Sequence, residues 1–318
     1  MKMHRMIRTA VAALALGVAG TALAIDQLKV MIPAGPGGGF DQTGRNLAAA
    51  MQAAGSIKSA QFDNKGGAGG AIGLAQFVNT SKGDASALFV SGLVTVGATA
   101  MNRSPVTLAN VTPIARLTAE AEAIIVPAGS PFKSMKDVVA ALKANPGAVS
   151  FSGGSAGGTD HILAGLIAKD AGIDPAKVNY VPFTSGAEAV AAVLGGQVSA
   201  GISGYGEFAQ HIKSGRVRAL AVSGADKLEG IPSLKEQGIN VELVNWRGVF
   251  GAPGITPEQT KELIAAVEAG TKHAKWQETL QKLDWSPYWL AGDAFKAFVD
   301  SEQKRIAGVL DSLNLTKK

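Results

Sequence analysis

The chain of 318 residues contains no cysteine, so disulfides and thiolate metal sites are both ruled out. Histidine is nearly as scarce. After the first 24 residues only His161, His211 and His273 remain, each isolated from the others and from Asp/Glu clusters, so no metal centre is expected. Aromatic residues make up 6% of the chain, and no Lys/Arg cluster interleaves with them, which sets nucleic acid aside as a partner. Beyond residue 24 no apolar run is long enough to span a bilayer. An exported chain without disulfides needs a real apolar core, and a hydrophobic fraction of 47% can supply one.

The first 24 residues read as a secretory leader. Lys2, Arg5 and Arg8 form a basic start, residues 9–21 an apolar run, and Ala22-Leu23-Ala24 a cleavage site before Ile25. A retained anchor is the alternative, but the run is short for a membrane span. The leader carries three basic residues and no acid. Without it, the thirty Lys and Arg become 27 against 25 Asp and Glu, and the net charge falls from +5 to +2. The mature chain is therefore expected in the periplasm, with only a small positive charge.

Glycine is what the chain has in abundance, with 40 residues. The organising stretch is an apolar strand, Leu28-Lys29-Val30-Met31-Ile32, running into Pro33-Ala34-Gly35-Pro36-Gly37-Gly38-Gly39-Phe40-Asp41. A helix then starts near Gln42 and stops at Gly55. Consecutive glycines let the backbone approach a ligand closely and present its N–H groups. The start of the following helix adds partial positive charge, so the loop is suited to an anion. Gly66-Gly67-Ala68-Gly69-Gly70 is a second turn of the same kind.

Strands and helices alternate along the rest of the chain. Strands are expected at 60–62, 87–90, 114–117, 123–126, 149–151, 198–202, 217–222 and 241–244 with 248–251. Ser134-x-x-Asp137 and Thr256-x-x-Gln259 are capping boxes that open helices. Trp276, Trp285 and Trp289 fall in a C-terminal part read as helical packing. The pattern predicts an α/β fold of parallel-rich sheets flanked by helices. No linker is long enough for two domains in series. One domain is expected to be inserted in the other: residues 25–125 and 247–318 form the first, and 126–246 the second.

Ligands of such sheets bind beyond the carboxyl ends of strands. Three loops qualify, at residues 33–41, 153–159 and 184–186. Their candidate groups are Pro36, Gly37, Gly38, Gly39, Phe40 and Asp41, then Ser155, Gly158 and Thr159, then Thr184, Ser185 and Gly186. Ser91 and Ser203, at the ends of two strands, join this set. Amides and hydroxyls of this type suit carboxylate or phosphate oxygens. Ordinary tight turns are the plainer reading of each loop taken singly. Asp41 is better suited to capping or bracing than to touching an anion. Arg247 is open to two roles, a ligand carboxylate or a structural salt bridge. His161, in the first turn of its helix, could face the cleft or the surface.

Two enzyme patterns compete. The first loop lacks the G-x-G-x-x-G spacing of a dinucleotide site. Gly153-Gly154-Ser155-Ala156-Gly157 matches G-x-S-x-G between a strand and a helix, but no convincing acid and histidine follow. A secreted serine hydrolase using Ser155 stands as the alternative to a binding protein, as does a receptor for an aromatic carboxylate or acidic amino acid.

Taken in order, the residues resemble a known family. Residues 32–41 and 66–70, Thr159-Asp160-His161 and Val181-Pro182-Phe183-Thr184-Ser185-Gly186 carry the likeness. Gly195-Gly196-Gln197 and Gly215-Arg216-Val217-Arg218-Ala219-Leu220-Ala221-Val222 extend it. The chain is similar to the periplasmic solute-binding proteins of tripartite tricarboxylate transporters, the Bug-type or TctC-like receptors. The resemblance implies a two-domain flytrap with its ligand in the interdomain cleft. It implies that the loop at 33–41 holds a carboxylate, partly through ordered waters, and that the loops at 153–159 and 184–186 grip the ligand from the other domain. Gly37-Gly38-Gly39 and Trp246-Arg247-Gly248 look most like the citrate-binding branch. Val198-Ser199-Ala200-Gly201-Ile202 departs from a pattern in which relatives often carry an aspartate. The expected function is a monomeric receptor for a small di- or tricarboxylate, citrate first. It would deliver the ligand to a permease with large and small membrane subunits, without catalysis or cofactor.

Overall fold

The computed structural model describes residues 25–183 and 186–316. The first half-unit is β1 (Ile25–Ile32), α1 (Gly39–Ala53), β2 (Ile57–Asn64), α2 (Ala71–Thr80), β3 (Ala87–Gly92) and α3 (Leu93–Met101). β1 runs parallel to both β2 and β3. Leu28, Val30 and Ile32 alternate into the core, and all six residues of β3 are buried. This is what a strand covered by helices on both faces requires.

The chain then enters β4 (Thr112–Pro127), a strand of 16 residues where the sequence suggested two short ones. Ile114–Leu117 and Ala123–Val126 are its two apolar ends. The stretch between them, Thr118-Ala119-Glu120-Ala121-Glu122, alternates with period two and keeps the strand continuous. β4 changes sheets in mid-course. Residues 112–121 pair antiparallel with β9 (Val244–Gly251), and residues 122–125 pair with β7 (Ala200–Gly204). The C-terminal end also pairs with β8 (Val217–Val222).

Between β4 and β9 lie α4 (Met135–Ala144), β5 (Ser150–Gly153), α5 (Thr159–Asp170), β6 (Asn179–Pro182), α6 (Gly186–Leu194), β7, α7 (Tyr205–Lys213) and β8. β5 is parallel to β6 and β7. The strand order β2-β1-β3-β9-β4-β7-β5-β6 thus places a parallel group at each end, joined by the antiparallel pair β4 and β9. After β9 come α8 (Pro257–Lys272), α9 (Ala274–Lys282), β10 (Ser286–Ala291) and α10 (Gly292–Ser312). Both capping boxes form as read, Ser134 with Asp137 and Thr256 with Gln259. Trp289 lies in β10, which pairs with β4, and not in a helix. Arg116 of β4 stacks on Tyr288 of β10 at 3.5 Å from the ring centroid and donates to its carbonyl at 2.8 Å. Among the described residues no helix is long and apolar enough to cross a membrane.

α10 fastens the returning strand. Trp246 of β9 is fully buried, packs edge-on against Phe295 and Phe298, and donates from Nε1 to Glu302 at 3.0 Å. Where the strands cross, Ser223 acts as a clip. Its hydroxyl accepts from the Glu122 amide at 2.9 Å and donates to the Leu243 carbonyl at 2.5 Å. Its own amide donates to the Glu122 carbonyl at 2.8 Å. Ser223→Ala leaves one buried donor and one buried acceptor unpaired, at a cost of about 1–3 kcal/mol each if no water replaces the hydroxyl. Urea unfolding should show a lower midpoint with an unchanged slope.

Candidate ligand-binding cleft

A cleft of about 410 Å³ opens where the carboxyl ends of the two parallel strand groups face each other. One wall is the loop at 33–40 with the second glycine turn at 66–70. The other is built from Gly154, Ser155, Asp160, Gly186, Ser203 and Glu207, and Asn245 and Arg247 of β9 complete the lining.

The first loop is held from below by Asp41. Its carboxylate accepts from the Gly37 amide at 2.9 Å, Arg45 Nε at 2.8 Å and Asn64 Nδ2 at 2.9 Å. Burial alone would raise the pKa of Asp41, but the three donors outweigh burial and hold it below the usual range. Asn64 also donates to the Ala34 carbonyl at 3.0 Å, which ties the front of the loop to β2. The N-cap of α1 is Gly38, which brings no capping side chain, and the Gly39 amide is met instead by the Glu207 carboxylate from the other wall. Gly39 is required sterically, because a Cβ there would overlap the Arg247 guanidinium.

Opposite, the loop after β5 is organised by Asp160. Its buried carboxylate accepts from the Gly154 amide at 2.6 Å, and Tyr180 donates to the Gly154 carbonyl at 2.7 Å. His161 turns into the loop. Its Nδ1 accepts from the Gly157 amide at 3.0 Å, and its ring stacks on Tyr180 at 4.3 Å. Burial lowers its pKa to about 4, so it is neutral at physiological pH.

The floor concentrates charge. Arg247 and Glu120 form a buried ion pair through Nη2 and Oε1. Glu120 also accepts from Trp285 Nε1 at 2.9 Å, and the guanidinium lies 4.9 Å from the Trp285 ring centroid. Nη1 of Arg247 is buried with no partner among the described residues. Glu207, in the first turn of α7, accepts from Ser203 at 3.0 Å. Burial raises the pKa of Glu207, Glu120 adds to the rise, and Arg247, Ser203 and the Gly39 amide oppose it. Burial pushes Glu122 well above the carboxylate range, with the Asp160 and Glu120 carboxylates adding to it. Asp160 rises to about 7, mainly through burial and against the pull of the Gly154 amide.

Of the expected residues, Pro36, Gly38, Gly39, Phe40, Ser155, Gly186, Ser203 and Arg247 line the cleft. Gly37, Asp41, Ser91, Gly158, Thr159 and His161 are not part of that lining. Asp41 and His161 are occupied as braces, and Gly37 serves as a donor to Asp41. Gly158 caps α5, its amide bound to the Ser155 carbonyl at 2.9 Å. The Ser91 and Thr159 hydroxyls are fully buried. Thr184 and Ser185 lie outside the described residues. Arg247, open in the sequence between ligand and salt bridge, makes the salt bridge through Nη2, and its Nη1 has no partner among the described residues. Asp160, Glu207, Asn64 and Asn245 were not anticipated as lining, nor were Glu120 and Glu122 beneath it.

Two sheet halves joined by crossing strands, with a glycine-walled cleft between them, define a solute-binding protein of the periplasmic type. Residues 46–315 match the family described as tripartite tricarboxylate transporter family receptor. The chain belongs to that family, whose members are binding proteins and not enzymes. It is 26% identical to protein BugT of Bordetella pertussis over 291 residues, covering 89% of this chain and 88% of BugT. Its fold is similar to that of the periplasmic binding protein BugD, with a TM-score of 0.83, 23% identity and coverage of 92% and 99%. It is also similar to MatC of Rhodopseudomonas palustris with bound malate, with a TM-score of 0.78, 20% identity and coverage of 90% and 99%.

The geometry predicts opposite outcomes at adjacent glycines. A Cβ on Gly38 meets only the Gly35 carbonyl at 3.9 Å, so Gly38→Ala should leave stability unchanged within about 0.5 kcal/mol. Gly39→Ala collides with the buried guanidinium and should cost about 1–3 kcal/mol. Parallel urea titrations of the two variants test this.

Proposed function

We propose that the chain is a periplasmic receptor that closes on a carboxylate group of a small organic acid and delivers the acid to a transporter permease. One observation carries this reading. Arg247, 4% exposed, lines the cleft and has a buried Nη1 donor with no partner among the described residues. A buried guanidinium nitrogen left unpaired is costly, and a ligand carboxylate would satisfy it with a charge-assisted hydrogen bond. Closure that excludes water would strengthen this contact. The bound malate of MatC, a fold neighbour, is an acid of the same class.

On this reading residues 1–24 are a leader removed after Ala24. The protein works as a monomer, and residues 25–125 with 247–318 move against residues 126–246. The crossing strands β4 and β9 support that division, because β4 changes sheets between Ala121 and Glu122. The permease partner would carry large and small membrane subunits. Citrate, from the sequence resemblance, is the first ligand to test, with malate next.

A thermal-shift screen of residues 25–318 against small carboxylates, with sugars as controls, tests the class. Free ligand at about a hundred times its Kd adds about 2.7 kcal/mol of stability, a clear upward shift. Arg247→Lys keeps a cation beside Glu120 but removes the free guanidinium nitrogen. It should weaken the responding carboxylate by about tenfold to a hundredfold, in line with the 1.5–3 kcal/mol of a charged hydrogen bond. No shift with any carboxylate, together with esterase turnover lost in Ser155→Ala, would contradict the receptor reading.

A further inference from the structure

The charge of the cleft is opposite to what a bare di- or tricarboxylate needs. Among the described residues of the lining, Arg247 is the one cation, while Asp160 and Glu207 are both acids. The cation is already paired to Glu120, and Glu122 lies beneath the same floor. The acids are built in. A Cβ on Gly186 would overlap the Glu207 carboxylate, and one on Gly204 would overlap that of Glu120. On the second wall the Gly154 amide donates to Asp160 and not into the cleft.

Two buried atoms without partners, on neighbouring same-face positions of β9, are complementary in character. Arg247 Nη1 is a donor that needs an acceptor, and Asn245 Oδ1 is an acceptor that needs a donor. Residues i and i+2 of a strand lie about 7 Å apart on one face, within the span of one small molecule.

Resting on the receptor reading above, we propose that the ligand carries a positively charged nitrogen as well as its carboxylate. The carboxylate goes to Arg247 Nη1. The nitrogen goes to an acceptor face made by Asp160, Glu207 and Asn245. Asp160 and Glu207 are thus specificity-determining residues that select amino-bearing acids over their unsubstituted parents. Each carboxylate gains a counter-ion from such a ligand, whereas a second ligand carboxylate would be repelled by both.

The two outcomes have opposite pH signs. Asp160 is faced by Glu120 and Glu122 from β4, Glu207 from α7 and Tyr180 from β6, and stands at about 7 in the ligand-free protein. A bound ammonium favours the ionised Asp160. Affinity should then fall as pH drops below about 7, by up to about tenfold per unit for one proton. A polycarboxylate needs protonated acids, so its affinity should rise over the same range.

Calorimetric titration of residues 25–318 with pairs differing only in the amino group tests the proposal: succinate with aspartate, glutarate with glutamate, propionate with alanine, and butyrate with 4-aminobutyrate. In any pair that binds, the amino member should bind at least about tenfold tighter, equivalent to about 1.4 kcal/mol. Asp160→Asn and Glu207→Gln should each shrink that preference in variants that circular dichroism shows to be folded. Asp160→Asn should also flatten the pH profile. If the unsubstituted parents bind as tightly, or affinity rises on acidification, the inference is overturned and the receptor reading survives. If no carboxylate of either kind binds, the receptor reading itself fails.

Discussion

The ion pair between Arg247 and Glu120 is the contact on which the rest depends. It joins the two crossing strands at the floor of the cleft, and Trp285 closes it by donating to Glu120 and lying over the guanidinium. Trp285 in turn packs on Trp276 of α9, so the C-terminal elements are held to the centre through this pair. Removing either charge would strand the other in a desolvated site, at a cost of several kcal/mol. Pairing through Nη2 also leaves Arg247 Nη1 without a partner among the described residues.

The surrounding acids follow from the same constraint. One guanidinium cannot neutralise four carboxyls. Burial and the neighbouring acids raise the pKa of Glu122, and Asp160, at about 7, sits where small changes in its surroundings alter its charge. The two glycine loops are held differently. The loop at 33–40 is braced from behind by Asp41, whereas the loop after β5 binds the protein's own Asp160. An asymmetric cleft of this kind distinguishes one end of a ligand from the other.

Much of this was legible in the sequence because it is local. The glycine loops, the two capping boxes, the bracing role of Asp41 and the strand bearing Arg247 depend on residues within a few positions of each other. What was missed depends on distant partners. Glu120 and Glu122 interrupt an apolar pattern and so read as a gap between two strands. Only the pairing with β9 and β7 shows that β4 runs through them. Glu207 reads as an ordinary acid in a helix's first turn, and its place at the cleft is set by Gly186 and Ser203 from other elements. β10 is mostly exposed and lacks an apolar signature, and it is fixed by Arg116, 172 positions from the Tyr288 carbonyl it binds. The alternating Thr118-Ala119-Glu120-Ala121-Glu122 was the one available signal for the charged floor.

The most direct measurement is a crystal structure of residues 25–318 with the tightest ligand found by titration. The account predicts a ligand carboxylate oxygen within hydrogen-bond distance of Arg247 Nη1. A ligand carboxylate held elsewhere, with Nη1 still unpaired in the closed cleft, would contradict it.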